Sequence, residues 1–397
     1  MAIRSRKRQK TNKLKSELKE KKKTLFVKKI IKRIKGPRYI NSIITNNAPN
    51  SLIDYANNNV SQDKIEISYI LGILNADRTL RECLDSIFAQ DFPIEKYEVI
   101  IVDWGSKDRT LDIVKEFMQK HNNIRLMFNP HKLSEGRGMS KDLGTEAAKG
   151  EIVIFLDHDN ILLGKSWLRE IIEPLKKDAK IMASQSLLQF MENDTNFLKY
   201  VNAVGVEDPF AIPYSLPAQI VLHPEKFHLA DKKYYLHQLD KDSILYGGAN
   251  GCAFRKSVFD VIKGYTRDVD VFALMAEHRM KVAVPLKPRV YHKTASNMLN
   301  YMIKKAIYFY RFIDHEYEKK SFKWTQRGPG LKGKIRFFLM IAYNLSFLGP
   351  FIESLKQTVK TGRLFWLLHP FYVFYITVEY GLITLFKLKN FFRYQKR

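Results

Sequence analysis

Two carboxylates, Asp157 and Asp159, stand two residues apart directly after the apolar run Ile152-Val153-Ile154-Phe155-Leu156. Alternate residues of an extended segment face the same side, so the pair can act together. One carboxylate can touch a divalent cation, Mg2+ or Mn2+, while the other holds a sugar or orients the loop. Such hard cations take oxygen ligands and commonly share phosphate oxygens of a substrate. The competing reading is a solvated Asp-His-Asp-Asn turn that caps the next helix. A further carboxylate, Asp103, closes the run Val99–Val102. It can accept a hydrogen bond from a ring N–H of a nucleotide base, or anchor the Gly105-Ser106 turn as an Asx motif. Arg137 and Lys141 are candidate diphosphate contacts or solvated helix charges.

The elements that must position these groups follow from periodicity. Strands are expected over 67–73, 99–102, 124–128 and 152–156, and helices over 79–88, 110–120 and 136–149. Strands alternating with helices predict an α/β, Rossmann-like, mostly parallel sheet covered on both faces. Ligands of such sheets gather at the carboxyl ends of the strands, where Asp103 and Asp157 stand. Other chemistries leave no trace. There is no GxxxxGK[ST], no HExxH, no GxSxG and no paired CxxC, and Gly136-Arg137-Gly138 does not complete a GxGxxG.

Composition sets the outer bounds. The 397 residues are 45% hydrophobic and 27% charged, which excludes a disordered, collagenous or coiled-coil chain. Two cysteines, Cys83 and Cys252, make neither a disulfide framework nor a zinc spacing, which favours a reducing compartment. The net charge of +26 sits at the ends: residues 1–38 hold 17 Lys/Arg and 2 Asp/Glu, and residues 304–397 hold 18 and 5. The near-neutral middle argues against a body that wraps nucleic acid, and the basic ends suit an anionic membrane surface.

Residues 1–63 read as a basic arm, an amphipathic helix over 24–35 and a linker from 36. Near the other end, Leu299, Met302, Ile303, Ala306, Ile307, Tyr310 and Ile313 form a helical stripe that can pack on the body or lie in lipid. Two apolar runs follow, 335–352 and 364–386. The second has the length to cross a bilayer, although His369-Pro370 and Glu379 interrupt it, and crossing or lying in the interface both remain open. Trp366, Tyr372, Tyr375 and Tyr380 are placed as interfacial anchors, and Lys387, Lys389, Arg393, Lys396 and Arg397 follow on a cytoplasmic side.

The stretch from Ile67 to His292 resembles the family-2, GT-A-fold glycosyltransferases. The matching segments are Leu80–Gln90 (LRECLDSIFAQ), Val102–Thr110 (VDWGSKDRT), Ala148–Asp159 (AKGEIVIFLDHD) and Trp167-Leu168. The resemblance implies a catalytic domain over 64–298 and a membrane-associating helical region over 299–397. It implies an inverting, metal-dependent transfer from a nucleotide-sugar to a glycan or lipid-linked acceptor at the cytoplasmic membrane face, using Mn2+ or Mg2+. Asn75, Asp103 and Asp157 would bind the donor, and Asp159, Asp157 and His292 the metal. Asp268 would be the catalytic base, with Asp270 as the alternative. Three positions depart from the pattern: Leu74 replaces an aromatic residue, Trp104 replaces a second Asp that helps read uracil, and Arg267 replaces the acidic partner of the base. Those departures are the support for a rival reading, an inactive scaffold. A basic-armed nucleic-acid-binding protein is a second rival.

Overall fold

The computed structural model describes residues 55–56, 65–129, 139–242, 244–248, 250–265, 267–294, 297–315 and 330–394. The basic arm, the amphipathic helix expected over 24–35 and Arg137 lie outside the described residues. A two-residue strand, β1 (Tyr55–Ala56), falls within the stretch read as linker and pairs antiparallel with residues 125–126.

The four expected strands are present as β2 (Ile67–Ile73), β3 (Tyr97–Asp103), β4 (Ile124–Phe128) and β5 (Ile152–Asp157), parallel in the order β4-β3-β2-β5. Alternation sorts their side chains between two cores. Tyr69, Leu71, Val99, Ile101, Ile154 and Leu156 face one way, and Ile70, Ile100, Val102, Val153 and Phe155 the other. Helices α1 (Leu80–Phe88) and α2 (Thr110–Lys120) cover the first face, whereas α3 (Met139–Ala147) covers the second. The chain thus changes face and direction between β4 and β5, which opens a crevice at the carboxyl ends of β2 and β5.

Beyond β5 the sheet is mixed rather than mostly parallel. A short strand β6 (Asn160–Leu163) and helix α4 (Trp167–Lys177) lead to β7 (Ile181–Gln185) and β8 (Leu187–Leu188). Helices α5 (Asn196–Val204) and α6 (Leu216–Leu222) precede β9 (His228–Ala230), β10 (Tyr234–Gln238) and β11 (Cys252–Arg255). Then come α7 (Ser257–Ile262), α8 (Asp268–Glu277), β12 (Lys281–Pro285) and β13 (Arg289–His292). The main sheet continues β5-β11-β7-β12-β10-β9, with β11 antiparallel to both neighbours. Only four strands are legible as apolar runs; β9 and β10 at the edge are too exposed to show one. A second sheet, β6-β13-β8, stands at the carboxyl end of β5.

The last region forms a third core with α5 and α6. Its helices are α9 (Met298–His315), α10 (Gly330–Ser346), α11 (Leu348–Thr361) and α12 (His369–Tyr394). Of the stripe expected on 299–313, Met302 and Ala306 are buried as expected, whereas Leu299 is exposed and Tyr301, outside the stripe, is buried, a small rotation of the inner face. The rotation follows from Tyr301 and Lys305, which turn inward to bond Glu207. The run 335–352 breaks at Phe347, where α10 and α11 meet at 72°. The run 364–386 divides at His369-Pro370 into a 3-10 turn, Leu364–Leu368, and α12. Tyr372, Val373, Ile376 and Tyr380 on one face of α12 are buried in protein. Glu379 is half-buried beside Tyr375, whose hydroxyl donates to it at 3.4 Å, and burial pushes the Glu379 carboxyl up to about 7. Among the described residues no single helix is long and apolar enough to cross a membrane. By length and composition, α10 and α11 together could do so as a bent pair.

Candidate active site

Strand register levels the two carboxylate-bearing ends. Gly72 of β2 pairs with Asp157 and Ile73 with Asp103, so both acids emerge beside the end of β2. After Asp157 the chain turns tightly, with the Asp157 N–H donating to Asn160 Oδ1 at 3.2 Å. β6 then leaves antiparallel to β13, pairing Asn160 with His292, and the Lys293 N–H donates to the Asp159 carbonyl at 2.8 Å. This small ladder carries His292 to the acidic loop: His292 Nε2 lies 3.3 Å from Asp159 Oδ2. The same nitrogen lies 3.1 Å from Oε1 of Glu207, a residue the sequence reading did not select.

The charges in this cluster are mutually supporting. Burial opposes the His292 charge, yet Asp159 and Glu207 outweigh it and push the imidazole up to about 9. Burial also opposes ionisation of Asp159, but His292 holds its carboxyl below the usual range. Glu207 is held far below that range despite burial, by Lys305, His292 and Lys304.

Asp268 opens α8 and meets the acidic loop through Lys141 of α3. The Lys141 Nζ stands 3.1 Å from Asp157 Oδ1 and 3.3 Å from Asp268 Oδ1. Burial disfavours the ammonium, but the two carboxylates hold its pKa above that of an ordinary lysine. Tyr265 donates its hydroxyl to the same Asp268 oxygen. The Asp268 side chain is 37% exposed at this junction, whereas Asp270, two residues on, is only 3% exposed on the inner side of α8. The structure thus gathers Asp157 and Asp268 around one ammonium and leaves Asp270 in the packed interior.

Asp103 is fully buried and occupied as an Asx anchor. It accepts from the Gly105 N–H at 2.7 Å and from the Ser106 N–H at 3.0 Å. Asn75, in the left-handed region at φ 51, ties the first loop to this turn: its N–H donates to Ser106 Oγ at 2.9 Å, and its Oδ1 accepts from the Lys107 N–H at 2.9 Å. The two predicted donor residues therefore belong to one hydrogen-bonded rim. In the Gly247–Cys252 stretch, Gly251 has φ +71, and a Cβ there would come within 2.7 Å of Val290 and 2.8 Å of Trp167. Only glycine lets this loop pass so close under the strand that carries His292.

Among the described residues no group of three His, Cys, Asp or Glu side chains is preformed as a metal shell. The three predicted ligands are divided instead: Asp159 pairs with His292, and Asp157 pairs with Lys141. Two carboxylate oxygens and an imidazole remain a donor set that suits Mn2+ or Mg2+, so the residue types fit. Lys141 figured in the sequence only as a secondary candidate. Glu207 and Lys305 carried no signal beyond an acidic pair, Glu207-Asp208, set in an apolar stretch.

Residues 68–262 match the model of glycosyl transferase family 2. The poly(ribitol-phosphate) beta-glucosyltransferase of Bacillus spizizenii is 33% identical over 105 residues, covering 26% of this chain and 16% of that protein. Glycosyltransferase GlyG of Streptococcus pneumoniae serotype 4 is 30% identical over 136 residues, 34% of this chain and 43% of that protein. The chain thus spans less than half the length of these curated relatives. A solved structure of the mannosyltransferase PcManGT from Pyrobaculum calidifontis, in complex with GDP-Man and Mn2+, superposes with a TM-score of 0.51 at 14% identity, covering 82% of this chain and 88% of that one. That likeness shows the fold: a GT-A-like α/β architecture. The chain carries a family-2 glycosyltransferase domain. Asp268, His292 and Lys305 lie beyond the family-matched residues and reach the site through α8, β13 and α9.

Proposed function

We propose that this chain is an inverting, metal-dependent glycosyltransferase that moves a sugar from a nucleotide-sugar to a glycan or lipid-linked acceptor. The observation that carries the reading is Lys141, one ammonium within 3.3 Å of both Asp157 and Asp268. It brings the loop read as the donor site and the carboxylate read as the base to a single side chain. Asp157, Asp159 and His292 would hold the divalent cation, which when bound supplies positive charge to the departing nucleoside diphosphate. The protein's own groups do the rest. Lys141 stabilises negative charge on the diphosphate. Asp268 accepts the proton of the acceptor hydroxyl as its oxygen bonds to the anomeric carbon and the bond to the diphosphate breaks. A single displacement inverts that carbon, so an α-linked donor yields a β-glycoside.

The test is a panel of UDP-, GDP- and dTDP-sugars with and without Mn2+. One donor should raise the melting temperature only with metal present, and the same donor should release its nucleoside diphosphate slowly by hydrolysis. A protein that neither is stabilised nor hydrolyses any donor is the scaffold of the rival reading.

The same reading places the chain on the cytoplasmic face of a membrane. Its support is an unusual apolar exposure on α10 and α11: Leu331 is 73% exposed, Phe338 68% and Val359 85%. Lys332, Lys334, Arg336, Lys356 and Lys360 lie on the same two helices, α10 and α11, giving the mixture that suits an anionic lipid surface. Each buried Phe or Leu contributes roughly 1.5–3 kcal/mol and each nearby cation about 1 kcal/mol. The full chain should therefore co-sediment with phosphatidylglycerol vesicles, and Phe338→Glu with Leu339→Glu should weaken binding more than about tenfold. Equal partition of both proteins into the supernatant removes the membrane assignment.

A further inference from the structure

His292 is held at its backbone and at only one ring nitrogen. The side-chain amide of Asn202 on α5 accepts from the His292 N–H at 3.1 Å and donates to its carbonyl at 3.2 Å. The ring's Nδ1 is buried with no hydrogen-bond partner among the described residues. The orientation of the imidazole therefore depends on Nε2, which faces Asp159 Oδ2 at 3.3 Å and Glu207 Oε1 at 3.1 Å. These two carboxylates are not equivalent. Asp159 belongs to the loop that meets the donor. Glu207 belongs to the protein interior: its second oxygen accepts from the Tyr301 hydroxyl at 2.9 Å and from Lys305 Nζ at 3.0 Å, both on α9. Its neighbour Asp208 is bonded by the Tyr380 hydroxyl of α12 and caps the turn at Phe210, which fixes the segment from its other side.

We propose that Glu207 is the positioning residue for His292, and that Lys305 and Tyr301 complete it, so that the C-terminal helical layer is part of the transfer site and not only a membrane support. The proposal rests on the transferase reading for its catalytic consequence, but the geometry it asserts is independent of turnover. In the donor-free protein Glu207 turns Nε2 toward Asp159 and the acidic loop, because both of its own oxygens are already directed. Glu207 shares Nε2 with Asp159 and does not bond the far nitrogen, so it acts by presetting the ring before the donor arrives. Loss of a group that orients a ligating histidine commonly changes affinity or activity by about 10–100-fold.

Three full-length variants test this: Glu207→Gln, Lys305→Met and Lys305→Arg. The first readout is the 15N resonances of the His292 imidazole in donor-free protein, assigned by their loss in His292→Gln. They should move in Glu207→Gln and Lys305→Met and return toward the wild-type position in Lys305→Arg. The second readout is steady-state kinetics with the donor found by the panel. Glu207→Gln and Lys305→Met should each lower kcat/KM for the donor by about 10–100-fold with the acceptor KM unchanged. Lys305→Arg should recover most of the loss, and Glu207→Gln combined with Lys305→Met should be no worse than the less active single variant, because the residues act as one unit. Imidazole resonances that stay in place in Lys305→Met overturn the proposal, whatever the kinetics show. Resonances that move with unchanged donor kinetics overturn its catalytic half. If the wild type turns over no donor, the transferase reading fails while the resonances still decide the positioning claim. Should Glu207→Gln not fold, Tyr301→Phe, which removes one hydrogen bond to the same oxygen, takes its place.

Discussion

With Asp268 as the proposed base, Asp268→Asn should lower kcat by about 10²–10⁴-fold, the usual contribution of a positioned general base, equivalent to roughly 2.7–5.5 kcal/mol of barrier. The substitution keeps the shape of the side chain, and the amide oxygen can still accept from Tyr265. Lys141 keeps its partner Asp157 at 3.1 Å, so no ammonium is left unpaired in the site. What disappears is the capacity to take a proton from the acceptor. Donor binding, read by calorimetry, should therefore change little while single-turnover transfer collapses. Asp270→Asn gives the contrast. Asp270 is 3% exposed in the first turn of α8, where a change acts on packing, so the expected effect is a lower melting temperature with kcat of the folded fraction preserved. If Asp270→Asn were the variant that lost transfer while Asp268→Asn turned over within a few-fold of wild type, the base would be the buried residue, and Lys141 would no longer link the donor loop to the base.

Much of this arrangement is visible in the residues alone, and the parts that are not share a physical cause. β2, β3, β4 and β5 are buried on both faces, so they appear as continuous apolar runs, and the acids that end β3 and β5 stand out against them. The pairing of Asp159 with His292 has no local signature. It depends on β6 and β13, whose four-residue pairing joins segments more than a hundred residues apart. Glu207 is harder still: it follows the left-handed Gly205 that ends α5, and its partners lie on a different strand and on α9. A hydropathy count cannot divide the apolar residues of α12 between a face packed in protein and a face turned outward. It therefore merges 364–386 into one run, whereas the structure buries Tyr372, Ile376 and Tyr380 and exposes Phe371, Leu382 and Leu385. The rotation of α9 has the same origin, since a polar contact of Lys305 outranks the burial of Leu299 and no apolar periodicity records it.

Asp159→Ala should remove metal-dependent donor binding while leaving the fold intact. In the wild type, a donor and Mn2+ at about 100 times their dissociation constant add roughly 2.7 kcal/mol to stability by mass action. The variant should show none of that increment, and its transfer rate should fall below detection together with nucleoside diphosphate release. The donor-free protein tolerates the change better than a broken buried ion pair ordinarily allows. Removing one partner of such a pair costs about 3–5 kcal/mol when the remaining charge is stranded. In this cluster His292 keeps Glu207 at 3.1 Å, and Glu207 keeps Lys305, so the imidazolium is not left alone. Thermal melts without ligand should accordingly shift only modestly. Asp157→Ala separates the two halves of the site: it frees Lys141 toward Asp268 at 3.3 Å but leaves the Asp159–His292 contact in place, so donor affinity should fall less than in Asp159→Ala. A wild-type Mn2+-dependent melting shift in Asp159→Ala would show that the cation is gripped elsewhere, and the carboxylate at the end of this loop would then serve only to hold His292.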